Sequence, residues 1–499
     1  MPSLKKNITF NYIGQFYTAF IGILILPLYL EQLGAEAFGL IGFFTLLLAW
    51  LQLLDLGLTP TLGREVARLK GDPKNHYELR TVVRSLEVVF MAVAVFVTIA
   101  IFINRNWLAV EWLTISELDA DLVALCVGLM GVVVGLRWLS SLYMSGINAY
   151  EQQVWINIVG VCIVTLRFPG ALAIILVSEG NLLLFFSYQF LVAGIECLIY
   201  STKLYKIMPS TDTEVNFSAN SLKRIAPFAL SIGYTAGIWV FITQLDKLLL
   251  SKILPLADYG FFTLIATLTT GVMFLSYPIG RAILPRMTSL IAQNDEQEMM
   301  KIYMKGTRIV SAVVSPVVLV IAFFPQEIVY IWTGNVKASE WIEPILPLYV
   351  LGYGLLTVGA FQYYLQYAHG KLKQHVIYNT VSALISIPMI IYSAYSYGPI
   401  GVAWVWFIFR LLSLLFWAPY IHYKFAPGIH FDWIIKSVFP PIVVSLVVLL
   451  VVSGIFDYHF SNNRLLGLFY ISVVTSVVMI ASFGISFFKE IRVFVREKI

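Results

Sequence analysis

Residues 154–177 read VWINIVGVCIVTLRFPGALAIILV and carry a single charge, on Arg167. A mostly apolar run of this length is long enough to cross the hydrocarbon core of a bilayer. An arginine near the centre of such a helix costs about 2.5–3.5 kcal/mol on insertion scales. Pro169 and Gly170 follow it and predict that the helix bends or opens there. The stretch therefore predicts a membrane-spanning helix whose arginine binds a ligand in a cavity, pairs with a neighbouring helix, or snorkels to the surface.

The composition of the whole chain is typical of a protein that crosses the bilayer many times. Hydrophobic residues make up 59% of the 499 residues, charged residues make up 12%, and the mean hydropathy is +0.83. Apolar runs of spanning length predict an all-α polytopic membrane protein with about 14 transmembrane helices. The runs lie near 8–30, 38–59, 84–104, 121–144, 154–177, 182–201, 225–250, 258–280, 309–332, 345–367, 376–397, 399–421, 435–455 and 466–488.

Sequence signatures of enzymes and of metal sites are absent from the chain. It has no P-loop, HExxH, GxSxG or paired CxxC pattern, and no loop is long enough to fold as a catalytic domain. Cys126, Cys162 and Cys197 lie in apolar runs, at a spacing that supports neither a disulfide framework nor a zinc site. We therefore predict a protein that is not an enzyme, with no catalytic residue, no metal and no cofactor. The net charge of +5 is modest and does not suggest nucleic acid.

The distribution of lysine and arginine predicts the orientation of the chain. With the N-terminus in the cytoplasm, the predicted cytoplasmic segments hold 25 of the 33 basic residues and the opposite side holds four. Cytoplasmic loops of membrane proteins carry such an excess of positive charge. The bias predicts that both termini face the cytoplasm. Four basic residues remain inside the predicted spans, namely Arg137, Arg167, Lys247 and Arg410.

Matching segments at nearly one spacing indicate an internal repeat. EAFG at 36–39 matches ADYG at 257–260, at an offset of 221, and the segment ending at Asn157 matches the segment ending at Asn379, at an offset of 222. The pattern predicts two parallel six-helix repeats, an N-terminal half at 1–210 and a C-terminal half at 211–425. An extra helix pair and a basic cytoplasmic tail follow at 426–499. Some carriers with such repeats bind their substrates between the halves.

The four cations inside the spans are candidate substrate-binding residues. A rise of about 1.5 Å per residue places Arg137 about 9 Å, Arg410 about 17 Å, Arg167 about 20 Å and Lys247 about 33 Å from the cytoplasmic ends of their helices. In a core about 30 Å thick, Arg137 and Lys247 can snorkel, whereas Arg410 and Arg167 lie too deep. Because guanidinium groups bind phosphate in a bidentate way, we predict that the four cations bind a pyrophosphate or another anionic group of the substrate.

Polar and acidic residues inside the spans are further candidates. Asn11, Gln15 and Thr18 share one face of the first predicted helix, where they line a cavity or pack against another helix. Glu196 and Asp246 are candidate sites for H⁺ or Na⁺ coupling, since carboxylates inside membranes often act as relays. For Asp246, compensation of the neighbouring charge of Lys247 is the favoured alternative. Asp55 closes the segment LLDLGL, and we predict that it anchors a loop or a helix end.

Two segments, at 11–68 and 227–251, contain motifs of a known family. The sharpest motifs are LEQLGAEAFGL at 30–40 and LLDLGLTPTLGREVAR at 53–68. They resemble the polysaccharide-biosynthesis flippases of the O-antigen type, in the multidrug/oligosaccharidyl-lipid/polysaccharide exporter superfamily. The superfamily also contains multidrug extruders, which commonly carry a carboxylate in the first helix, and the peptidoglycan lipid flippase, which carries arginines there. Residues 8–30 of this chain carry no charge, which favours the O-antigen type.

The resemblance implies a flippase that moves an undecaprenyl-pyrophosphate-linked oligosaccharide from the cytoplasmic to the periplasmic leaflet by alternating access. The cargo is then an O-antigen or similar surface polysaccharide unit, used in lipopolysaccharide biosynthesis. The implied location is a bacterial inner membrane, and the implied partners are the polyprenyl-linked glycan, membrane lipid, a polysaccharide polymerase and the chain-length machinery. Two alternatives stay open, a cation-coupled multidrug exporter of the same fold and a membrane-embedded glycan polymerase or ligase.

Overall fold

The computed structural model describes residues 4–211, 214–455 and 463–487. Within these ranges all regular structure is helical, and β-type pairing is limited to an isolated bridge between Thr114 and Pro255. The predicted all-α class is therefore confirmed. The basic tail predicted at the C-terminus, from Lys489 to Lys498, lies outside the described residues.

Packing divides the chain into two compact units, Met1–Gly260 and Phe261–Ile499. In the first unit, α5 packs against α3, α4 and α7, α1 packs against α6, and α8 packs against α2, α3 and α4. The helices of this unit are α1 (Leu4–Leu33), α2 (Ala35–Leu51), α3 (Leu58–Leu69), α4 (His76–Ile103), α5 (Ala120–Ala149), α6 (Gln153–Val177), α7 (Leu182–Ile207), α8 (Ala219–Ile253) and the start of α9 (Leu256–Phe274).

The second unit is built around one long helix, α11, which packs against α10, α14, α16 and α17. Val320 of α11 and Phe324, which follows α11, form an apolar cluster with Leu449 of α16 and with Val474 and Val478 of α17. This cluster attaches the last helix pair to the unit. The helices are α10 (Tyr277–Ala292), α11 (Glu296–Phe323), α12 (Pro325–Thr333), α13 (Val336–Ile342), α14 (Leu346–Ala368), α15 (Lys373–Phe425), α16 (His430–Gly454) and α17 (Arg464–Ser486).

The predicted count of about 14 spans is not confirmed. Within the described ranges, 11 helices are long and apolar enough to cross a membrane, or 12 if the pair α13 and α14, bent by 61°, forms one span. Two further differences have physical causes. The 17-residue α2 ends at Leu51, short of the predicted 59. The two segments predicted at 376–397 and 399–421 follow each other without a loop in the 53-residue α15 and are separated by a kink at Gly398.

Gly398 divides α15 into two limbs. Its backbone has a φ of 62° and a ψ of −150°, which is not helical. A straight helix of this length would extend about 80 Å, far beyond a hydrocarbon core of about 30 Å. Glycine adopts this conformation without the penalty that a β-carbon brings, and Pro399 then prevents the usual backbone hydrogen bond. The limbs before and after Gly398 therefore correspond to the two spans that the sequence predicts there.

The two glycines of the sequence repeat meet inside the first unit. A β-carbon on Gly260 would lie 2.6 Å from the carbonyl oxygen of Ala35 and 3.0 Å from the backbone nitrogen of Gly39. A β-carbon on Gly39 would in turn overlap the carbonyl oxygen of Leu256. Ala35 and Leu256 are themselves separated by 221 residues, as the two glycines are. The contact is therefore reciprocal, since each glycine packs against the backbone of the segment that matches its own.

A tight turn follows α2 and contains the LLDLGL segment. Leu56 and Gly57 both have positive φ, 45° and 74°. The Asp55 carboxylate accepts hydrogen bonds from the backbone N–H of Thr59, at 3.2 and 3.3 Å, and from the Thr59 hydroxyl. Burial raises the pKa of Asp55, and the hydrogen bonds from Thr59 oppose part of that shift. The predicted loop-anchoring role of Asp55 is confirmed.

Candidate anion-binding site

The helix that carries Arg167 opens where the sequence predicts. Leu166–Gly170 of α6 forms a π-helical turn that contains Pro169. Proline has no N–H to donate, and π turns widen a helix, so carbonyl groups become available to side chains. Three consecutive carbonyls in this turn accept such bonds. The Tyr188 hydroxyl donates to Leu166 at 3.1 Å, Gln189 Nε2 donates to Arg167 at 2.9 Å, and the Tyr29 hydroxyl donates to Phe168 at 2.9 Å.

Gln189 links this turn to Arg137 of α5. Arg137 Nη2 donates to Gln189 Oε1 at 2.6 Å, and the guanidinium lies 5.2 Å from the ring centroid of Phe44. Its Nε is buried and has no hydrogen-bond partner among the described residues. Because it is held between α7 and an aromatic ring, the Arg137 side chain packs inside the unit and does not snorkel. Gln189 itself is buried, with 4% of its surface exposed.

Arg167 is held through its backbone, whereas its charged group is left available. Its carbonyl accepts from Gln189, but its half-buried guanidinium makes no hydrogen bond or ion pair to any described side chain. Arg137 and Arg167 are close enough to act on each other electrostatically. Two like charges in a low-dielectric region repel each other unless an anion or water offsets the cost. The arrangement can therefore bind an anionic group with guanidinium donors.

Glu196 is an acidic residue near Arg137. It is half-buried on α7, and it influences Arg137 electrostatically. Its Oε2 is buried without a hydrogen-bond partner in the described part of the chain. The two arginines and this one carboxylate together carry a net charge of +1. Ion coupling at Glu196 stays a prediction.

The other predicted cations have different surroundings. Lys247 Nζ lies 3.4 Å from the Asp246 carboxylate and donates to the Thr243 carbonyl at 2.6 Å, which is the local compensation that the sequence favours. Arg410 belongs to the second unit and is 6% exposed. Its guanidinium lies 4.4 Å from the ring centroid of Trp406, and its Nε and Nη2 have no hydrogen-bond partner among the described residues. Substrate binding by either residue, and ion coupling at Asp246, stay predictions.

The predicted polar face of α1 is only partly described. Gln15 and Thr18 are exposed, and the Thr18 hydroxyl donates to the Gly14 carbonyl at 2.8 Å, while the side chain of Asn11 lies outside the described residues. α1 also contacts α6 through the Tyr17 hydroxyl, which lies 2.6 Å from the Thr165 hydroxyl. Cavity lining by Asn11, Gln15 and Thr18 stays a prediction.

Sequence reasoning missed Gln189, Tyr29 and Tyr188. Each holds a backbone carbonyl of the π turn, and Gln189 also holds Arg137. The available signal was Gln189 itself, an amide in the otherwise apolar run of α7, since buried amides in membranes need partners. Metal binding gains no support, because no group of three or more His, Cys, Asp or Glu side chains occurs in the ranges that the structure describes.

Solved structures share this fold. The structure titled "Lipid II flippase MurJ, inward closed conformation" has a TM-score of 0.76 at 15% identity, with 97% of this chain and 100% of that chain covered. An inward-facing multidrug resistance MATE family transporter has a TM-score of 0.63 at 13% identity, with 81% and 94% covered. At these identities the comparisons establish the architecture alone, an all-helical fold that this chain shares with those two proteins.

Sequence comparisons give the family. A Shigella flexneri protein named "Putative O-antigen transporter" is 21% identical over 414 residues, which cover 83% of this chain and 96% of that protein. Residues 238–392 match the MatE family. Residues 4–291 match the family described as "Polysaccharide biosynthesis protein". Because this last match spans more than half of the chain, the protein belongs to the polysaccharide biosynthesis protein family.

Proposed function

We propose that this protein is a flippase for a polyprenyl-pyrophosphate-linked oligosaccharide. It moves an O-antigen or similar surface polysaccharide unit from the cytoplasmic to the periplasmic leaflet of a bacterial inner membrane by alternating access. One observation carries the proposal, namely the half-buried guanidinium of Arg167, which has no partner among the described side chains and lies near a second arginine. Family membership and the names of the relatives, which describe transporters and flippases, support it.

The chemistry of the site fits a pyrophosphate. A pyrophosphate offers several oxygens with negative charge, and guanidinium groups bind such oxygens with paired, charge-assisted hydrogen bonds. Arg137 retains a buried Nε–H without a partner, and the Arg167 guanidinium has all of its donors available. Binding of an anion would relieve the repulsion between the two arginines. A weak, reversible site of this kind suits a carrier, since a substrate must also leave.

The test is alanine substitution of Arg137 and Arg167, one at a time, with surface polysaccharide measured at matched protein levels. Loss of charge-assisted hydrogen bonds worth about 1.5–3 kcal/mol should weaken pyrophosphate binding roughly tenfold to a hundredfold. Arg167→Lys keeps the charge without the bidentate geometry and should give an intermediate defect. Binding of polyprenyl pyrophosphate to the purified protein checks that the defect lies in recognition.

Arg105→Ala is the matched control. Arg105 follows α4, and its guanidinium stacks 4.3 Å from the ring centroid of Phe102, so its removal also deletes a cation–π contact. We expect normal surface polysaccharide from this variant. Normal polysaccharide from both Arg137→Ala and Arg167→Ala would contradict the proposal.

A cation-coupled multidrug exporter is the second candidate, because residues 238–392 match the MatE family. The charge of the site disfavours it, since a cationic drug would be repelled by Arg137 and Arg167. The acid beside Lys247 is moreover engaged in a local ion pair. Efflux of a cationic dye from cells that lack other exporters separates the two functions. Energy-dependent efflux that survives Arg167→Ala would favour the exporter.

A further inference from the structure

The second unit contains an apolar groove between the two limbs of α15. The groove has a volume of about 580 Å³ and runs from Gln374 and Tyr420 at one end to Met389 and Val405 at the other. Lining residues on each limb recur every three or four positions, so one face of each limb forms a wall. Much of this wall is exposed, including half of the Ile385 side chain. In a membrane the groove is therefore open to lipid.

The chemistry of the lining favours hydrocarbon over sugar. Most lining side chains are aliphatic or aromatic. Four of the polar side chains pair with one another across the groove. The Tyr378 hydroxyl donates to Ser413 Oγ at 2.5 Å, and the Tyr420 hydroxyl donates to Gln374 Oε1 at 3.1 Å. A glycan needs partners for its own hydroxyls, and groups already paired offer few. An apolar chain needs only contact area.

The length of the groove favours a long chain over an ordinary acyl chain. Gln374 and Met389 are 15 residues apart on one limb, which corresponds to about 22 Å along the helix. A helix tilted by about 40°, the upper end of the usual range, would still span about 17 Å along the membrane normal. Half of a hydrocarbon core is about 15 Å. The groove therefore extends beyond the depth that the acyl chains of one leaflet fill.

A buried cation beside the groove favours a lipid with an anionic head group. Arg410 lies three residues before Ser413 on the second limb, at the edge of the groove wall. Its side chain packs on Trp406, away from lipid, and it interacts electrostatically with the hydroxyl of Tyr378, which lines the groove. Its Nε and Nη2 are buried without partners among the described residues. One limb thus presents hydrocarbon contact on one side and unused guanidinium donors on the other.

We propose that this groove binds the long isoprenoid chain of the lipid-linked substrate. The inference rests on the proposed function and adds to it the place where the carrier chain lies. The limbs of α15 guide the hydrocarbon, and the positive charge of Arg410 favours a carrier with an anionic head group. A neutral phospholipid tail would use neither the full length of the groove nor the cation.

Photocrosslinking tests the inference on the full-length protein in nanodiscs of phosphatidylethanolamine and phosphatidylglycerol. The probe is undecaprenyl pyrophosphate with a diazirine on its chain, and labelled peptides are identified by mass spectrometry. We expect labels on the two limbs of α15, within 374–420. Excess unlabelled undecaprenyl pyrophosphate should remove the signal. The much shorter farnesyl pyrophosphate should compete poorly, because it cannot fill the groove.

Three tryptophan variants on one limb provide the control. Val381→Trp and Met389→Trp place a large ring in the groove, and both positions are half-exposed, so folding should survive. Leu384→Trp adds the same ring on the same limb outside the groove, at a position that is 71% exposed. Filling a site with excess volume is costly, so the two groove variants should lose roughly fivefold or more of the crosslinking signal. Leu384→Trp should keep it.

The outcomes separate the two proposals. Carrier binding with labels elsewhere, and with unchanged signal in Val381→Trp, would overturn the groove and leave the flippase intact. No specific carrier binding by the wild-type protein would overturn the flippase proposal. Equal labelling of the groove by a diazirine phospholipid that undecaprenyl pyrophosphate fails to displace would identify a site for bulk lipid, and would also overturn the inference.

Discussion

Gln189 joins the two arginines of the first unit through both ends of one amide. Its Oε1 accepts from Arg137 and its Nε2 donates to the Arg167 carbonyl, at 2.6 and 2.9 Å. A neutral amide offers an acceptor and donors together, whereas a carboxylate offers acceptors alone and would neutralise a cation. Because it fixes the Arg137 side chain against the turn that carries Arg167, Gln189 acts as a positioning residue.

We predict that Gln189→Ala weakens pyrophosphate binding although it removes no charge. Arg137 Nη2 and the Arg167 carbonyl lose a partner, and unpaired buried groups cost about 1–3 kcal/mol each. The free energy of unfolding should fall by a similar amount, measured by thermal unfolding in detergent. Affinity for undecaprenyl pyrophosphate should fall with it, because Arg137 is no longer held in place.

Gln366→Ala is the matched control, because it separates positioning from stability. Gln366 is fully buried and donates to the Gln362 carbonyl at 3.1 Å, and it contacts no arginine through a hydrogen bond within the described residues. Its loss should lower stability without changing affinity for the carrier. Equal loss of affinity in both variants would show that Gln189 has only a structural role.

The sequence pointed to the charged residues of the site but not to what holds them. Arg167 stands out because a charge within an apolar span is rare. Gln189 lies 52 residues from Arg137 and 22 from Arg167, so its two contacts depend on how α5, α6 and α7 pack. Lys247 shows the converse case. Its ion pair with Asp246 involves adjacent residues, and the sequence alone favoured it.

At the scale of structural elements, the sharpest family motifs stabilise loops and turns. In the motif at 30–40, the buried Glu36 carboxylate accepts backbone N–H groups of Ser116, Glu117 and Leu118, which fastens the loop before α5. In the motif at 53–68, Asp55 anchors the turn before α3. These hydrogen bonds hold loops in place, and none of them involves a polysaccharide substrate. This explains why the motifs identify the family without identifying the glycan.

Breaks in helices were predictable where one residue imposes them. Pro169 indicated the opening of α6, and the predicted runs at 376–397 and 399–421 lie on either side of Gly398, where α15 breaks. The end of α2 was not predicted, because the apolar pattern continues through LLDLGL. There the chain turns through positive φ at Leu56 and Gly57, and the turn is held by Asp55. At that point the turn-forming residues, and not the apolar pattern, determine where the helix ends.

We predict that Gly260→Ala destabilises the protein by about 1–3 kcal/mol, because an added β-carbon forces backbones apart. The new carbon would lie 2.6 Å from the Ala35 carbonyl oxygen, which belongs to a helix and cannot move alone. Gly39→Ala should have a similar effect at the reciprocal contact. The double variant should cost less than the sum, since the helices are already separated by the first change. Thermal unfolding in detergent measures all three.

Gly160→Ala is the control for the glycine contact. A β-carbon on Gly160 of α6 would meet nothing within 4 Å. Alanine is favoured over glycine in helices, so this variant should be neutral or slightly more stable. If Gly260→Ala lowers the stability no more than Gly160→Ala does, the close contact between α2 and α9 does not exist.

At the scale of the whole molecule, composition was enough to predict a polytopic helical protein. The boundary between the two compact units, in contrast, was not predicted. The repeat pattern predicts halves that meet near 210, whereas the compact units meet at Gly260. The two boundaries describe different properties, since repeats are defined by similarity of sequence and compact units by contacts between residues. α8 begins the second predicted repeat yet packs against α2, α3 and α4 of the first unit. Such packing depends on long-range contacts that no local pattern encodes.

The orientation of the chain is the remaining prediction at this scale, and charge bias is its physical basis. Single cysteines, in a background in which Cys126, Cys162 and Cys197 are replaced, can be labelled with a membrane-impermeant maleimide in intact spheroplasts. We expect labelling at Glu117→Cys and Lys337→Cys, because both positions are exposed and lie in segments that the charge bias predicts on the side opposite the cytoplasm. The exposed positions Gly71→Cys and Gln293→Cys should react only after lysis. The reverse pattern would place the basic loops outside, and a carrier built in the cytoplasm would then meet the opposite face of the protein.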